Sequence, residues 1–419
     1  MKSITLPGSK SITNRDLILA ALANGESRLS GFLQSEDTEH MIKALNLLGI
    51  QVQTVGDELI IHGGIEHIRG EGKELFLGNS GTSVRFLTSL ATLNTVSNIV
   101  ITGEERMKER PIKDLIDGIK QLGVDISSNN GFCPLIIEGK RQIENSHVVM
   151  DGNSSSQYFT SILQVAPLFK NGLTLEVAGE LVSKPYLDIT MNEMKKFGVE
   201  VTNENYKKFI VKPQLYSPVN MTIEGDASAM SYFAAFVVLH GGEIKINNLS
   251  NKSKQGDYHF IDELMIFGLS YESDANSTIL RAPGIRNLDL NQYRDYSVDF
   301  ENMPDASLTF MILSPFLPGN TTISGLKTLN LKESKRIDAM KNELQKIGIG
   351  VSSDNVSITI GECNGLRNHT LIDIETYKDH RIAMSFGILN SFIGNLNILN
   401  PKCVAKTYPN FWEDLESIN

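Results

Sequence analysis

Cysteine is scarce in this 419-residue chain: only Cys133, Cys363 and Cys403 occur. Three widely separated thiols cannot all pair and lack metal-ligand spacing, so neither a disulfide framework nor a cysteine zinc site is expected. Positive charge is also in deficit, with 39 Lys and Arg against 49 Asp and Glu and a net charge of −10. That balance excludes a generic nucleic-acid or anionic-membrane surface, since both require a basic face. It leaves room for small anionic ligands, because a local group of Arg and Lys focuses positive potential even in an acidic protein. No apolar run approaches the roughly 18 residues of a membrane helix. The opening MKSITLPGSKSITNR has neither the basic and apolar regions expected of a signal peptide nor an Arg-rich transit segment. A cytoplasmic protein with reduced thiols is expected, with neither membrane nor nucleic acid as partner.

What is present is ordinary in amount and unusual in order. Hydrophobic residues at 41% and charged residues at 21% are typical of a globular chain. The length suggests two or three domains, with a core large enough to need no disulfide or metal. An amphipathic helix ending in glycine recurs at Gly49, Gly123, Gly198, Gly268 and Gly348, every 70 to 80 residues, each followed by a strand-like segment. Glycine accepts the left-handed C′ conformation cheaply, so helix, glycine, strand is the expected grammar. A second series lies out of phase with it. Polar or small turns open apolar helices at Lys10, Gly81, Ser155, Ala227, Asp305 and His380. The chain therefore reads as six α/β units, too small to stand alone, three sharing a core twice over. Which three pack together is left open.

Five of the six turns carry Ser, Thr, Asn or Gly where a helix begins. Helix starts present unpaired N–H groups and partial positive charge, which bind phosphate or carboxylate; the same residues are also the preferred caps. The first turn sets Lys10, Ser11 and Arg15 at a helix start, where cations are unfavourable unless an anion joins them. The second has Asn79, Gly81 and Thr82, with Arg85 one turn on. The third has hydroxyls from Ser154 to Ser156, then Gln157.

Other charged residues stand in loops. Arg110 precedes Pro111 and Lys184 precedes Pro185, which predicts extended backbone at both. Lys184 lies beside Ser183 and Tyr186. Lys332, Glu333, Lys335 and Arg336 crowd one helix start, His380 and Arg381 another, and Lys406 stands near the end. Arg85, Arg110, Arg336 and Arg381 next to helix starts suit a ligand set with several negative charges, since Arg grips phosphate and carboxylate bidentately. Asp305 is open to two readings, helix cap or catalytic acid–base. Glu333, among cations, is expected to stay ionised.

The strings PGSKSITNR, GNSGTSVR, MKERPI, SSSQ, LVSKPY, GDAS, MPDA, LKESKR, YKDHRIAM and PKCVAKTYP span residues 7 to 409. In this order they closely resemble the enolpyruvyl transferases, specifically the branch that uses shikimate 3-phosphate as acceptor. The resemblance implies an α/β fold of two inside-out barrel domains, each of three units, with the active site in the interdomain cleft. It implies one domain of residues 1–7 and 225–419, a second of 8–224, and crossings near Pro7 and Gly225. It further implies transfer of the carboxyvinyl group of phosphoenolpyruvate to the 5-hydroxyl of shikimate 3-phosphate, in the pathway to chorismate and the aromatic amino acids. No metal or organic cofactor is implied, and a monomer is expected.

Carried over by motif, shikimate 3-phosphate would meet Lys10, Ser11, Arg15, Ser155, Ser156, Gln157, Ser183, Tyr186, Asp305 and Lys332. Phosphoenolpyruvate would meet Lys10, Asn79, Gly81, Arg110, Gln157, Arg336, His380, Arg381 and Lys406. Catalysis would fall to Asp305, Glu333, Lys10 and Lys406, with Asp305 holding the attacking hydroxyl and Glu333 handling the methylene proton.

Three positions depart from the family: Thr328 where some members have Asn, Asn330 where Arg is common, and Lys335 where Asp is common. They bear on contacts near the shikimate phosphate and not on Lys332, Glu333 or Arg336. Gly81 stands where relatives insensitive to glyphosate often carry Ala, so competition between glyphosate and phosphoenolpyruvate is expected. The sister transferase acting on UDP-N-acetylglucosamine uses a reactive loop cysteine, and MKERPIKD has none. A non-catalytic relative would be expected to have lost Lys10, Asp305 or Glu333, and all three are present.

Overall fold

The computed structural model describes residues 1–70, 72–94, 98–140, 142–153, 155–363 and 370–419. The chain forms two compact units, one of Met1–Pro7 with Glu224–Asn419 and one of Gly8–Ile223. Each has its own buried apolar cluster. Among the described residues no helix is long and apolar enough to cross a membrane.

Within Gly8–Ile223, the helices Lys10–Leu22, Gly81–Ala91 and Ser156–Val165 pack against one another. In the other unit the same arrangement is made by Ala227–His240, Ser307–Leu313 and His380–Ile393. These helices begin at the turns picked out in the sequence. They are apolar on nearly every side because they lie inside, with sheets around them, and a helix apolar all round is a buried one. The Lys10–Leu22 helix buries everything from Ile12 onward. The Gly81–Ala91 helix buries every residue except Thr82, and Ser156–Val165 every residue except Gln157. Each unit is thus an inside-out α/β barrel.

Among the described residues six sheets surround the helices, five of four strands and one of two. Each contains a parallel pair. In four of them the chain passes from one parallel strand through an inner helix to the next, as from Glu74–Phe76 through Gly81–Ala91 to Ile99–Thr102. The four-stranded sheets add an antiparallel hairpin, such as Asp125–Asn129 with Phe132–Glu138. The remaining two sheets exchange strands. Lys2–Ile4 precedes the Lys10–Leu22 helix, yet pairs with Gly242–Ile246 beyond the Ala227–His240 helix. Asn220–Thr222 precedes Ala227–His240, yet pairs with Gly25–Ser30 beyond Lys10–Leu22. This exchange makes the first unit discontinuous in sequence and the second continuous.

The five repeat glycines, Gly49, Gly123, Gly198, Gly268 and Gly348, all have φ between 71° and 99°. Each therefore occupies a region that costs other residues, as the helix–glycine–strand pattern requires. The helix expected before Gly268 is shorter than the pattern suggests: Phe260–Glu263 is α-helical and Leu264–Phe267 tightens into a 3-10 turn. Tightening of this kind is common where a helix ends.

Candidate active site

In the Gly8–Ile223 unit, polar side chains gather at the three inner-helix starts. Ser9 caps the first helix, accepting from the Ile12 N–H at 3.4 Å, and Lys10 is its first residue. The Lys10 ammonium stands 3.9 Å from the Asp37 carboxylate. Arg15 is fully buried and ties neighbouring segments together. It donates to the carbonyls of Ser11 at 2.7 Å and Tyr186 at 2.9 Å, and through Nε to Thr190 at 2.9 Å. Burial lowers its pKa to about 10, still well above neutrality. Three of the residues predicted for one substrate are therefore a single hydrogen-bonded group.

At the second and third helix starts, Arg85 donates to the Gln157 amide oxygen at 2.8 Å, and Gln157 donates to Thr82 at 3.4 Å. Ser155 caps its helix by accepting from the Gln157 N–H at 3.3 Å. Ser156 is the first residue of that helix, and Ser154 lies outside the described residues. Arg110 donates to both the carbonyl and side-chain oxygen of Asn79 at 3.2 Å. A Cβ placed on Gly81 would stand 2.5 Å from Arg110 Nη2 and 2.5 Å from Arg85 Nη1, so glycine is what lets both guanidiniums close on this turn. Ser183 takes a left-handed φ of 54°, an uncommon conformation for serine, just before the Pro185–Lys196 helix that carries Tyr186.

Lys184 differs from expectation. Its backbone is helical, φ −50° and ψ −40°, although proline follows. Pro185 sits at the first helical position, where its missing N–H is not needed. The Lys184 carbonyl there accepts from Leu187 and Asp188, which outweighs the preference for extended backbone.

In the other unit, Asp305 lies in the Pro304–Ala306 turn and does not cap the helix that follows. Its Oδ1 receives Arg336 Nη1 at 2.8 Å and faces Lys332 Nζ at 3.3 Å, while Oδ2 meets Arg381 Nη2 at 3.0 Å. Burial pushes this carboxyl upward, but Arg381, Lys332 and Arg336 together hold it well below the usual range. Of the two readings open for Asp305, the helix cap is not observed. Glu333 pairs with Arg336 Nη2 at 2.9 Å and faces Lys406 Nζ at 3.8 Å. Burial lowers the Lys332 pKa. His380 is fully buried, its Nδ1 3.8 Å from Asp379.

Asp379 escaped the sequence reading. It caps the His380–Ile393 helix through the Arg381 N–H at 3.0 Å, and also accepts from Arg336 Nε at 2.8 Å and Ser334 at 2.9 Å. The signal available was its place directly before the His–Arg pair in YKDHR. Of the departing positions, Asn330 accepts from the Ile337 N–H at 3.0 Å and so supports the start of the Arg336–Lys346 helix. Lys335 precedes that helix without a side-chain capping bond.

Arg85, Arg110, Arg336 and Arg381 are each at most 6% exposed, so none is an ordinary solvated surface cation. Cys133 is 1% exposed and burial pushes its thiol up to about 11, which removes it as a reactive thiolate. Among the described residues no group of three or more His, Cys, Asp or Glu is arranged to hold a metal ion.

Two barrels carrying buried arginines and hydroxyl-rich helix starts make an α/β protein with positive charge held at the ends of its inner helices. Residues 1–415 match the family model described as EPSP synthase (3-phosphoshikimate 1-carboxyvinyltransferase), and the chain belongs to that family. A 3-phosphoshikimate 1-carboxyvinyltransferase of a Sulfurovum species is 40% identical over 425 residues, covering 99% of this chain and 96% of the relative. One from Citrobacter koseri is also 40% identical, covering 100% and 96%. Among solved structures, an EPSP synthase from Acinetobacter baumannii superposes with a TM-score of 0.77 at 22% identity, covering 99% of this chain and 94% of that one. The enolpyruvyl transferase NikO from Streptomyces tendae gives a TM-score of 0.75 at 15% identity, covering 99% and 94%. These structures share the fold.

Proposed function

We propose that this chain transfers the carboxyvinyl group of phosphoenolpyruvate to the 5-hydroxyl of shikimate 3-phosphate, releasing phosphate, as a step of aromatic amino-acid biosynthesis. The observation that carries the reading is Asp305, a buried carboxylate enclosed by Arg336, Arg381 and Lys332 with Glu333 alongside. Shikimate 3-phosphate is assigned to Lys10, Ser11, Arg15, Ser155, Ser156, Gln157, Ser183, Tyr186, Asp305 and Lys332. Phosphoenolpyruvate is assigned to Lys10, Asn79, Gly81, Arg110, Gln157, Arg336, His380, Arg381 and Lys406.

The hydroxyl oxygen attacks C2 of the enol phosphate while C3 gains a proton, giving a tetrahedral ketal phosphate. Phosphate then leaves and C3 returns a proton. Arginines fixed by their neighbours stabilise phosphate and carboxylate charge without reorganising, the contribution usually largest in such sites. Asp305 accepts the hydroxyl proton. Its three cations make it a weak base alone, but bound phosphate and carboxylate neutralise part of that positive field and raise its basicity. Substrate binding thereby prepares the base. Glu333, with Lys406 and Lys10, exchanges the C3 proton. The steps need only acids, bases and fixed charges, so no metal or organic cofactor is assigned. We take the enzyme to act as a monomer in the cytoplasm.

The test is phosphate release from the purified chain given phosphoenolpyruvate and shikimate 3-phosphate. Release that requires both, and falls at least ~100-fold in Asp305→Ala and Glu333→Ala, is expected. Release with UDP-N-acetylglucosamine in place of shikimate 3-phosphate would overturn the acceptor.

A further inference from the structure

Behind Arg381 lies a carboxylate that the reaction as described does not use. Asp257, in the Gly256–His259 turn, is 5% exposed, and the Ser228 hydroxyl donates to its Oδ2. Ser228, in the first turn of the Ala227–His240 helix, accepts in turn from Arg381 Nη2 at 3.4 Å. The same Nη2 reaches Asp305 Oδ2 at 3.0 Å. Asp257, Ser228, Arg381 and Asp305 thus form a buried line from the back of the cluster to its base. Gln255 braces this corner by accepting from the Ala227 N–H at 3.1 Å and donating to the Gly225 carbonyl at 2.8 Å.

We propose that Asp257 is a positioning residue: its carboxylate fixes the Ser228 hydroxyl as an acceptor for Arg381, and so sets how Arg381 is divided between Ser228 and Asp305. The inference rests on the transferase reading above. A hydroxyl has one proton to give. When Asp257 is ionised it takes that proton's hydrogen bond, and the Ser228 lone pairs face the guanidinium. When Asp257 is protonated it can donate to Ser228, whose own proton then turns away from Asp257. One Ser228 lone pair then serves Asp257 and the turned proton crowds the guanidinium, so Ser228 becomes the poorer acceptor and Arg381 closes on Asp305, tying up the oxygen that the substrate hydroxyl needs.

The charge state of Asp257 lies within reach of ordinary pH. Burial pushes its carboxyl up and Asp305 adds to this, Arg381 and the Ser228 hydrogen bond oppose it, Asp226 raises it again, and the result is about 6. Among the described residues, the charged and titratable groups facing this line are Asp226 ahead of the Ala227–His240 helix, Tyr232 within it, and Lys332, Glu333 and Arg336 around Asp305.

Steady-state kinetics between pH 5 and 9 test the inference in wild type, Asp257→Asn and Ser228→Ala. Wild type should lose kcat on the acid side with a midpoint near 6. Asp257→Asn should lower kcat roughly 10- to 100-fold at pH 8, leave KM for phosphoenolpyruvate within about threefold, and abolish the acid limb. Ser228→Ala should abolish it too, and serves alone if Asp257→Asn does not fold. A folded variant with wild-type kcat and an unchanged acid limb overturns the inference. A wild-type chain releasing no phosphate at any pH instead contradicts the transferase reading. Asp257 is then read from sulfate, whose charge is constant over this range. Its affinity for wild type should change across pH 6 and for Ser228→Ala should not, and equal profiles overturn the inference.

Discussion

Arg336 and Asp379 are joined by two hydrogen bonds, Nε to Oδ2 at 2.8 Å and Nη2 to Oδ1 at 3.2 Å, with both side chains sealed from solvent. The remaining donors of the same guanidinium reach Asp305 and Glu333. One planar cation therefore sets the spacing of two acids assigned to catalysis, and a third acid, Asp379, sets the plane of that cation.

Replacing Arg336 by Lys keeps the charge and loses the fork. Arg336→Lys should lower kcat/KM by roughly 10²- to 10³-fold and stability by about 3–5 kcal/mol, because Asp379 is left as a buried carboxylate short of donors. Steady-state kinetics and urea unfolding measure the two effects. Wild-type stability in the variant would show that Asp379 finds another partner.

Gly81→Ala places a methyl group where Arg85 and Arg110 now approach. Both guanidiniums must retreat by about an ångström to restore ordinary contact, which costs anion contacts more than it costs the fold. The expected result is a KM for phosphoenolpyruvate raised several-fold, and competitive inhibition by glyphosate weakened more than tenfold. Inhibition measured at several phosphoenolpyruvate concentrations decides it, and equal glyphosate sensitivity would contradict the crowding argument.

Asp16 is completely buried; burial pushes its carboxyl well above the usual range, and Glu193 adds to this. A raised acid holds its proton more tightly in the folded state, so stability is lost as pH rises above the unfolded value of about 4. Asp16→Asn removes that loss. Its Tm should exceed wild type by a few degrees at pH 8, with the gap closing toward pH 4. A gap independent of pH would mean that packing decides it.

The same sign applies to Asp257, raised to about 6. Relative to Asp257→Asn, wild type should lose on the order of 2–3 kcal/mol between pH 4 and pH 7.5. Chemical unfolding at the two pH values tests this. A carboxylate that costs stability when charged is what a positioning role predicts, since function and stability then pull apart.

The sequence displays the inner helices because each begins at a small polar turn and continues in residues that are apolar on every side. It displays the left-handed helix ends because only glycine recurs there. The strand exchange is invisible in the residue pattern, and only the resemblance points to crossings near Pro7 and Gly225: Lys2–Ile4 and Asn220–Thr222 are three residues each, too short to alternate, and their partners are set by distant packing. In the candidate site the cations could be named from their motifs, while their internal partners could not. Asp379 looks like an ordinary helix cap until Arg336 is placed against it. Asp257 stands in no motif, and its meaning comes from a serine and an arginine 29 residues before and 124 after it in the chain.

During synthesis the two exchanged strands meet different fates. Asn220–Thr222 emerges after the Gly25–Ser30 strand it joins, so the continuous unit can close as soon as its last residues leave the ribosome. Lys2–Ile4 is made first and must wait for Gly242–Ile246, some 240 residues later. At about 5–20 residues per second that is a delay of roughly 12–48 s. Through that interval the nascent chain carries an unmated strand, and the barrel of Gly8–Ile223 is finished only near its end. A piece made from Glu224 onward would never receive that strand, and its Gly242–Ile246 strand would present a bare edge to any neighbouring chain.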